Sequence, residues 1–483
     1  MRILYIPVFS SSRMVEASPS YNHAPKIIRR IVKKHPDTYF YVLFPKLNEP
    51  DDINNFTLRS GKNVFESLPN TKVIYMNSVS HQRTEMFLIT REVWELFNEG
   101  TGKYYVDLIW NEKPYLAPLL KRLVSNFTAP QSSDVPIVTT TQLIPVAEKG
   151  GSLVDLVATS TGYMVSDVPV FQSPHQRNRA IEASKTVLNL SRIEDLRKRA
   201  KVITQGVDTE ELDKVRETAT KYPKLTVNYS SKLYLQKKYE DSFEVMDKAY
   251  VSGRQIDVQV VTSSSYQKVM GAEGKYSKVY KYFKVYERAN RDTFLKASVK
   301  SHIFLMMADY EDFPMTVLEQ LYLGLVGILP DTEWAHYVIG KDYPFLYKSK
   351  KQALEMLCYL IDNYDKVAPQ IITRNIEYIR NTHTMDRMAD NFLSEFKRLH
   401  KERLENVQPN TELMEIAEKT LKLMNTVFTM EDYVKEFNRH TEHAQIGDYQ
   451  DNFTLNKFKF YTFCQAKGCK DMCDSEDVKF MKG

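Results

Sequence analysis

Two glutamates eight residues apart, Glu311 and Glu319, bracket the start of an apolar segment in which each has a different neighbourhood. Carboxylates at this spacing can accept hydrogen bonds from the hydroxyls of a sugar or a ribose. That chemistry depends on the elements that carry them. His302-Ile303-Phe304-Leu305-Met306-Met307 reads as an apolar strand, Glu311 falls in the polar loop after it, and a helix opening at Pro314 carries Glu319 in its second turn. Gly324 stops that helix, and Val326-Gly327-Ile328-Leu329 reads as the next buried strand. In a parallel sheet this order turns both carboxylates and a helix N-terminus toward the carboxyl edge, where open α/β sheets bind ligands. The first amides of such a helix lack intrahelical partners and carry the positive end of its dipole, so they suit a diphosphate. The competing reading is a solvated loop acid and an ordinary helix-surface glutamate.

The segment Glu311-Asp312-Phe313-Pro314-Met315-Thr316-Val317-Leu318-Glu319-Gln320-Leu321-Tyr322-Leu323-Gly324 resembles the paired-glutamate signature of the retaining family 4 glycosyltransferases of GT-B fold. The common form there is Glu-Gly-Phe-Gly-Leu-Pro-Val-Leu-Glu-Ala-Met-Ala-Cys-Gly. The resemblance implies that Glu311 is the catalytic-site carboxylate contacting the donor sugar and that Glu319 binds the ribose of the nucleotide. Asp312 and Pro314 stand where the family has glycines. Pro314 has no amide hydrogen, so phosphate contacts would pass to the amides of Met315 and Thr316 and to the Thr316 hydroxyl. Upstream, Leu225-Thr226-Val227-Asn228 reads as the opening strand of a second domain, and Lys232 and Lys237 follow it at the spacing of the family's diphosphate-gripping Arg and Lys. Lysine in the first place keeps the charge and loses the bidentate fork. Lys238 competes for the second place, and all three also fit a solvated, lysine-rich surface. A third match, Ala200-Lys201-Val202-Ile203-Thr204-Gln205-Gly206-Val207-Asp208-Thr209, resembles the strand and turn that close the first domain in this family, with Gln205 for the usual Asn.

These matches span roughly residues 200 to 330 and imply an α/β, GT-B architecture: two Rossmann-like doubly wound domains facing a cleft, with a mostly helical C-terminal extension. The expected division is an acceptor domain over 1–205, a nucleotide-sugar domain over 222–380, and a return helix with a helical extension over 381–483. Strands are expected at Ile3–Val8, Tyr39–Phe44, Lys72–Tyr75, Val106–Trp110, Ile137–Thr140 and Val168–Phe171 in the first domain. In the second they are expected at Leu225–Asn228, Val258–Thr262, Phe283–Tyr286, Ile303–Met307 and Gly327–Leu329. Tyr286 ends a strand where relatives hold the nucleotide base, largely through backbone, so UDP- and GDP-linked sugars both remain open as the donor. Retaining enzymes of this class need no catalytic metal, since basic side chains and helix amides neutralise the leaving diphosphate.

With 483 residues, 43% hydrophobic and 26% charged, the chain can bury two ordinary cores, and its net charge of +5 suits an anionic donor. Met1 to Phe9 reads as a first buried strand, and no apolar run approaches the ~20 residues that span a bilayer, so a cytoplasmic protein is expected. Acceptor-side or phosphate contacts are expected from strand ends of the first domain: Ser12 and Arg13, where the family has a glycine-rich loop, Glu112, Gln142, and His175. The histidine that many relatives carry near Gln142 is missing. Cys464, Cys469, Cys473 and His443 form a candidate structural zinc set, weighed against free thiols, at spacings that fit no strong pattern.

The acceptor is open. The family implies a saccharide, a lipid-linked glycan or a protein. A fainter similarity of Glu311 to Tyr347 to phage DNA glucosyltransferases, with basic clusters at Lys26–Lys34 and Arg192–Lys201, adds hydroxymethylated bases of a nucleic acid as an alternative. The missing glycines and histidine also admit a catalytically degenerate nucleotide-sugar-binding or structural module. Oligomeric state is not readable.

Overall fold

Alternating apolar strands and amphipathic helices build two parallel sheets, each in its own unit. The computed structural model describes residues 1–7, 19–45, 62–76, 106–124, 135–141, 153–233, 237–264 and 282–405. One unit comprises Met1–Ile203 and the chain from Ala389, and the other comprises Thr204–Met388.

The first unit contains β1 (Arg2–Ile6), β2 (Tyr39–Pro45), β3 (Thr71–Met76), β4 (Leu108–Asn111), β5 (Ile137–Thr140), β6 (Val168–Phe171) and β7 (Lys201–Val202). They pair in parallel in the order β3-β2-β1-β4-β5-β6-β7. Central strands are buried on both faces, which is why Ile3-Leu4-Tyr5-Ile6 is continuously apolar. Crossover helices α1 (Pro19–Lys34), α2 (Ala117–Val124), α3 (Leu153–Val165), α4 (Pro174–Ser184) and α5 (Leu190–Arg199) supply the covering layers. In α1, Ile27, Ile28 and Ile31 fall on one helical face and are buried.

The second unit contains β8 (Leu225–Ser230), β9 (Ile256–Val261), β10 (Lys284–Tyr286), β11 (Ile303–Leu305), β12 (Val326–Pro330) and β13 (Leu346–Tyr347), ordered β10-β9-β8-β11-β12-β13 and all parallel. Its helices are α6 (Thr209–Glu217), α7 (Tyr239–Val251), α8 (Arg291–Lys300), α9 (Met315–Tyr322), α10 (Glu333–Ile339), α11 (Lys350–Asp362) and α12 (Tyr364–Thr382). Both sheets follow the doubly wound order in which the strand sequence reverses beside the first strand of the sheet. Every strand read from the sequence is present, with ends shifted by a residue or two. Helix α13 (Met385–Glu405) then packs on the first sheet: Phe392 and Phe396 lie against Trp110 with ring centroids 5.0 and 5.9 Å away, and Arg403 donates to the carbonyls of Val106 and Asp107 at 3.2 and 3.0 Å. Among the described residues, no helix is long and apolar enough to cross a membrane.

Two segments of the second unit that are far apart in sequence are zipped together at Val207. Its amide donates to the His383 carbonyl at 2.9 Å, and its carbonyl accepts from the Met385 amide at 2.9 Å. Gly206 lies so close to this strand-like contact that an added Cβ would sit 2.0 Å from the Thr384 carbonyl carbon. Backbone is the obstacle, so the neighbour cannot yield by changing rotamer. Gly206→Ala should therefore destabilise the protein by about 2–4 kcal/mol and lower its thermal midpoint by about 5–10 °C. A calorimetric scan showing an unchanged midpoint would disprove the tight-contact account.

Two histidines make this unit sensitive to acid. The Thr226 amide donates to Nδ1 of His302 at 3.1 Å, which requires an unprotonated nitrogen there. Burial, and then the nearby Lys221 charge, push the His302 pKa down to about 4. His383 is buried and is likewise pushed down to about 4, mainly by burial, although the Tyr337 carbonyl at 3.1 Å favours its protonation. Unfolded histidines titrate near 6.5, so between about pH 6.5 and 4 the unfolded chain binds protons that the folded one refuses. Stability is fully present above pH 6.5 and falls as the pH drops toward 4, by up to about 3 kcal/mol for the buried His383 and by less for the half-buried His302, which water screens. Urea unfolding at pH 7 and pH 4.5 should show the decline, and His302→Gln should remove part of it. Equal pH dependence in wild type and variant would refute the assignment.

Candidate functional site

The reversal of strand order in the second sheet lies between β8 and β11, so their carboxyl ends diverge and open a crevice. The loop after β11 runs through Met306 and Glu311 to Pro314, which occupies the N-cap of α9 without a side-chain cap. Gly324, at φ +83°, follows the helix in the left-handed conformation that ends it. Of the first amides of α9, that of Met315 is taken by the Phe313 carbonyl at 3.1 Å. Those of Val317 and Leu318 go to the Pro314 carbonyl at 3.0 and 3.3 Å. The Thr316 amide has no backbone acceptor among the described residues. Of the Met315 and Thr316 amides expected from sequence to face a phosphate, that of Met315 is thus engaged by the protein's own backbone.

Glu311 is 8% exposed, and its carboxylate is ion-paired with the Lys237 ammonium. The neighbouring Lys238 turns elsewhere, to Asp309 at 2.6 Å on an exposed part of the same loop. Geometry thus separates the two lysines that sequence left as rivals: Lys237 meets the buried glutamate and Lys238 meets a surface aspartate. Lys232 follows β8, and its carbonyl accepts from the Tyr229 hydroxyl at 3.4 Å. Its side chain is exposed, and the protein packed around it, followed by the Lys237 charge, lowers its pKa. Exposure keeps that ammonium in contact with water, which screens its interactions.

Glu319 is 4% exposed and lies 2.9 Å from Arg291 Nη2. Helix α9 is fixed to the sheet beside it by a buried amide chain. Asn228 Nδ2 donates to Gln320 Oε1 at 2.8 Å, and Gln259 Nε2 donates to Asn228 Oδ1 at 3.2 Å and to the Ala297 carbonyl at 3.0 Å. Sequence reasoning passed over Asn228, Gln259 and Gln320. For Asn228 and Gln259 the signal was a carboxamide at a central position of the strands Leu225–Ser230 and Ile256–Val261; Gln320, on α9, gave none. A buried polar side chain in a central strand must find partners, and these partners tie β8, β9, α8 and α9 together.

Lys284 Nζ lies 5.2 Å from the Tyr286 ring and 5.8 Å from that of Tyr222, which precedes β8. Burial opposes ionisation of the Tyr286 hydroxyl, but Lys284, Tyr222 and Lys300 outweigh it and lower the pKa. Tyr286 is the last residue of β10, and its ring is engaged by Lys284 and its hydroxyl by Tyr222.

In the first unit, Glu112 follows β4 at the matching reversal point, and its amide donates to the Ile6 carbonyl at 2.9 Å. It sits beside the buried Tyr5 hydroxyl, whose pKa is raised by burial and then by Glu112. His175 lies in the first turn of α4, whose N-cap Ser173 accepts from the Gln176 amide at 3.0 Å. Ser12, Arg13, Gln142 and the zinc candidates His443, Cys464, Cys469 and Cys473 lie outside the described residues.

No protein-family model matches the chain, and no curated protein matches it in sequence. Solved structures do. Sucrose-phosphate synthase from Thermosynechococcus elongatus superposes with a TM-score of 0.60 at 12% identity, over 83% of this chain and 99% of that one. Anabaena HepE in complex with UDP and glucose gives 0.57 at 12% identity, over 82% and 100%. A glycosyltransferase from Rickettsia africae gives 0.56 at 15% identity, over 82% and 98%. At such identities the likeness speaks to architecture, and with the strand orders of both sheets it establishes that this chain has the GT-B fold.

Proposed function

We propose that the protein is a nucleotide-sugar-dependent glycosyltransferase whose donor occupies the β8–β11 crevice. The observation that carries this reading is the convergence of Lys237 on a buried Glu311 at the mouth of α9, with Glu319 in the second turn of the same helix. Lys232, Lys237 and the Thr316 amide would take the diphosphate, Glu311 the sugar hydroxyls, and Glu319 the ribose. The GT-B proteins similar to this chain include one whose structure holds UDP-glucose, which supports a nucleotide-sugar donor.

With retention, the acceptor hydroxyl attacks the sugar from the face the diphosphate leaves. The bond from the anomeric carbon to the phosphate oxygen breaks, the bond to the acceptor oxygen forms, and the released proton passes to the departing phosphate. The two lysines and the helix dipole stabilise the charge that gathers on that phosphate. This assigns no proton-transfer duty to a side chain, and the acceptor is taken to be a saccharide, lipid-linked glycan or protein hydroxyl.

A panel of UDP- and GDP-linked sugars, read by thermal shift and by release of UDP or GDP, tests the proposal. One donor should raise the thermal midpoint and release nucleotide slowly even into water. No shift and no release across the panel would overturn the reading.

A further inference from the structure

Glu319 is held by more than its own helix. Arg291, the first residue of α8, places Nη2 2.9 Å from Glu319 Oε1. The same guanidinium donates from Nε to Glu211 Oε1 at 3.0 Å and from Nη2 to Glu211 Oε2 at 2.6 Å. Glu211 is itself fixed in the first turn of α6, where Asp208 caps the helix, and Asn290 caps the start of α8 by accepting from the Thr293 amide at 2.9 Å. The row Glu211–Arg291–Glu319 therefore runs from two partly exposed side chains inward to a carboxylate only 5% exposed.

A buried carboxylate needs a counter-charge, and Arg291 provides it. Because a forked guanidinium bound at both Nε and Nη2 cannot swivel, the Glu319 oxygen it touches is held in one orientation. A carboxylate offers about four acceptor positions, and the Arg291 contact at Oε1 takes one of them.

We propose that Arg291, clamped by Glu211, is a positioning residue that orients Glu319 and so sets the preference of the nucleotide site for ribonucleotides over deoxyribonucleotides. The inference rests on the donor site described under Proposed function. A carboxylate fixed in advance loses little freedom when a ribose hydroxyl donates to it, and a swinging one forfeits that gain. Arg291→Lys keeps the charge without the fork and Arg291→Gln removes both, while Glu211→Gln loosens the clamp from the far side.

Titration calorimetry with UDP, GDP and their 2′-deoxy and 3′-deoxy forms tests this, alongside thermal melts of each variant. Wild type should bind the ribo form of its nucleotide about tenfold or more tighter than a deoxy form, the worth of one charge-assisted hydrogen bond. Glu319→Gln should erase the preference. Arg291→Gln should reduce it to about threefold or less, Arg291→Lys and Glu211→Gln should fall between, and Arg291→Gln/Glu319→Gln should match Glu319→Gln alone. If Arg291→Gln does not fold, the two milder variants decide the matter. A brace without a recognition role would weaken ribo and deoxy forms equally and leave the ratio intact, which overturns the inference while the donor site stands. Wild type binding neither nucleotide overturns the donor site, and the inference with it.

Discussion

Glu311→Gln should lower turnover of the nucleotide-sugar donor by about 10²–10³-fold and change UDP or GDP affinity by no more than about threefold. Glutamine keeps the shape of the side chain and one acceptor oxygen, so the variant isolates the charge. In the proposed site that charge faces the sugar as its anomeric bond to the diphosphate breaks and positive character builds on the ring. Stabilisation that appears only then acts on turnover and leaves nucleotide binding alone. The position suits this role, because Glu311 is 8% exposed and its carboxylate is oriented by Lys237, so little reorganisation is needed at the moment of reaction. Asp309, in the same loop and paired with Lys238, has a side chain that is 68% exposed. Asp309→Asn is the matched control and should stay near wild-type turnover. The measurement is nucleotide release with the donor found active, paired with calorimetry. Full turnover in Glu311→Gln, or an equal loss in Asp309→Asn, would remove Glu311 from the reaction.

The fold was readable because both sheets are doubly wound, and parallel strands covered on two faces announce themselves as apolar runs. Ile303-Phe304-Leu305 and Val326-Gly327-Ile328-Leu329 needed no partner information to be recognised. Leu346–Tyr347 went unread as a strand, since two residues after Pro344 show no periodicity and their pairing is supplied by Leu329 and Pro330. At the site, spacing along the chain reported Glu311 and Glu319 because both ride on one strand-loop-helix unit. Arg291 and Glu211 were invisible for the opposite reason. They come from separate helices, 28 and 108 positions away from Glu319, and only the packing of α6, α8 and α9 brings them to one carboxylate. Tyr286 shows the same limit from the other side. Its place at the end of a strand was correctly read, but Lys284 and Tyr222 determine which way the ring turns.

Lys237→Met should weaken UDP or GDP binding by about 10–100-fold, with Lys232→Met costing about tenfold or less and Lys238→Met almost nothing. The order follows from surroundings, since all three side chains carry the same charge. Lys237 is only 19% exposed and contacts a glutamate that is 10% exposed, so field lines there pass through protein more than through water. Lys232 is exposed and its interaction with an anion is screened by solvent. Lys238 spends its charge on Asp309 at the surface. In the absence of ligand the Lys237–Glu311 pair neutralises both groups; a diphosphate entering beside it gives the ammonium a second, more highly charged partner without demanding that the first be released. Removing Lys237 leaves Glu311 buried with no counter-charge and facing an incoming anion, so the loss exceeds that of one contact. Uridine or guanosine, which carry no diphosphate, separate the two parts of that loss. If Lys237 grips the diphosphate, nucleoside affinity should be nearly the same in wild type and Lys237→Met while nucleoside diphosphate affinity collapses. Equal weakening of nucleoside and nucleoside diphosphate would mean that Lys237 only keeps the Glu311 loop in shape, and the diphosphate would then have to be assigned to Lys232 and the amide of Thr316.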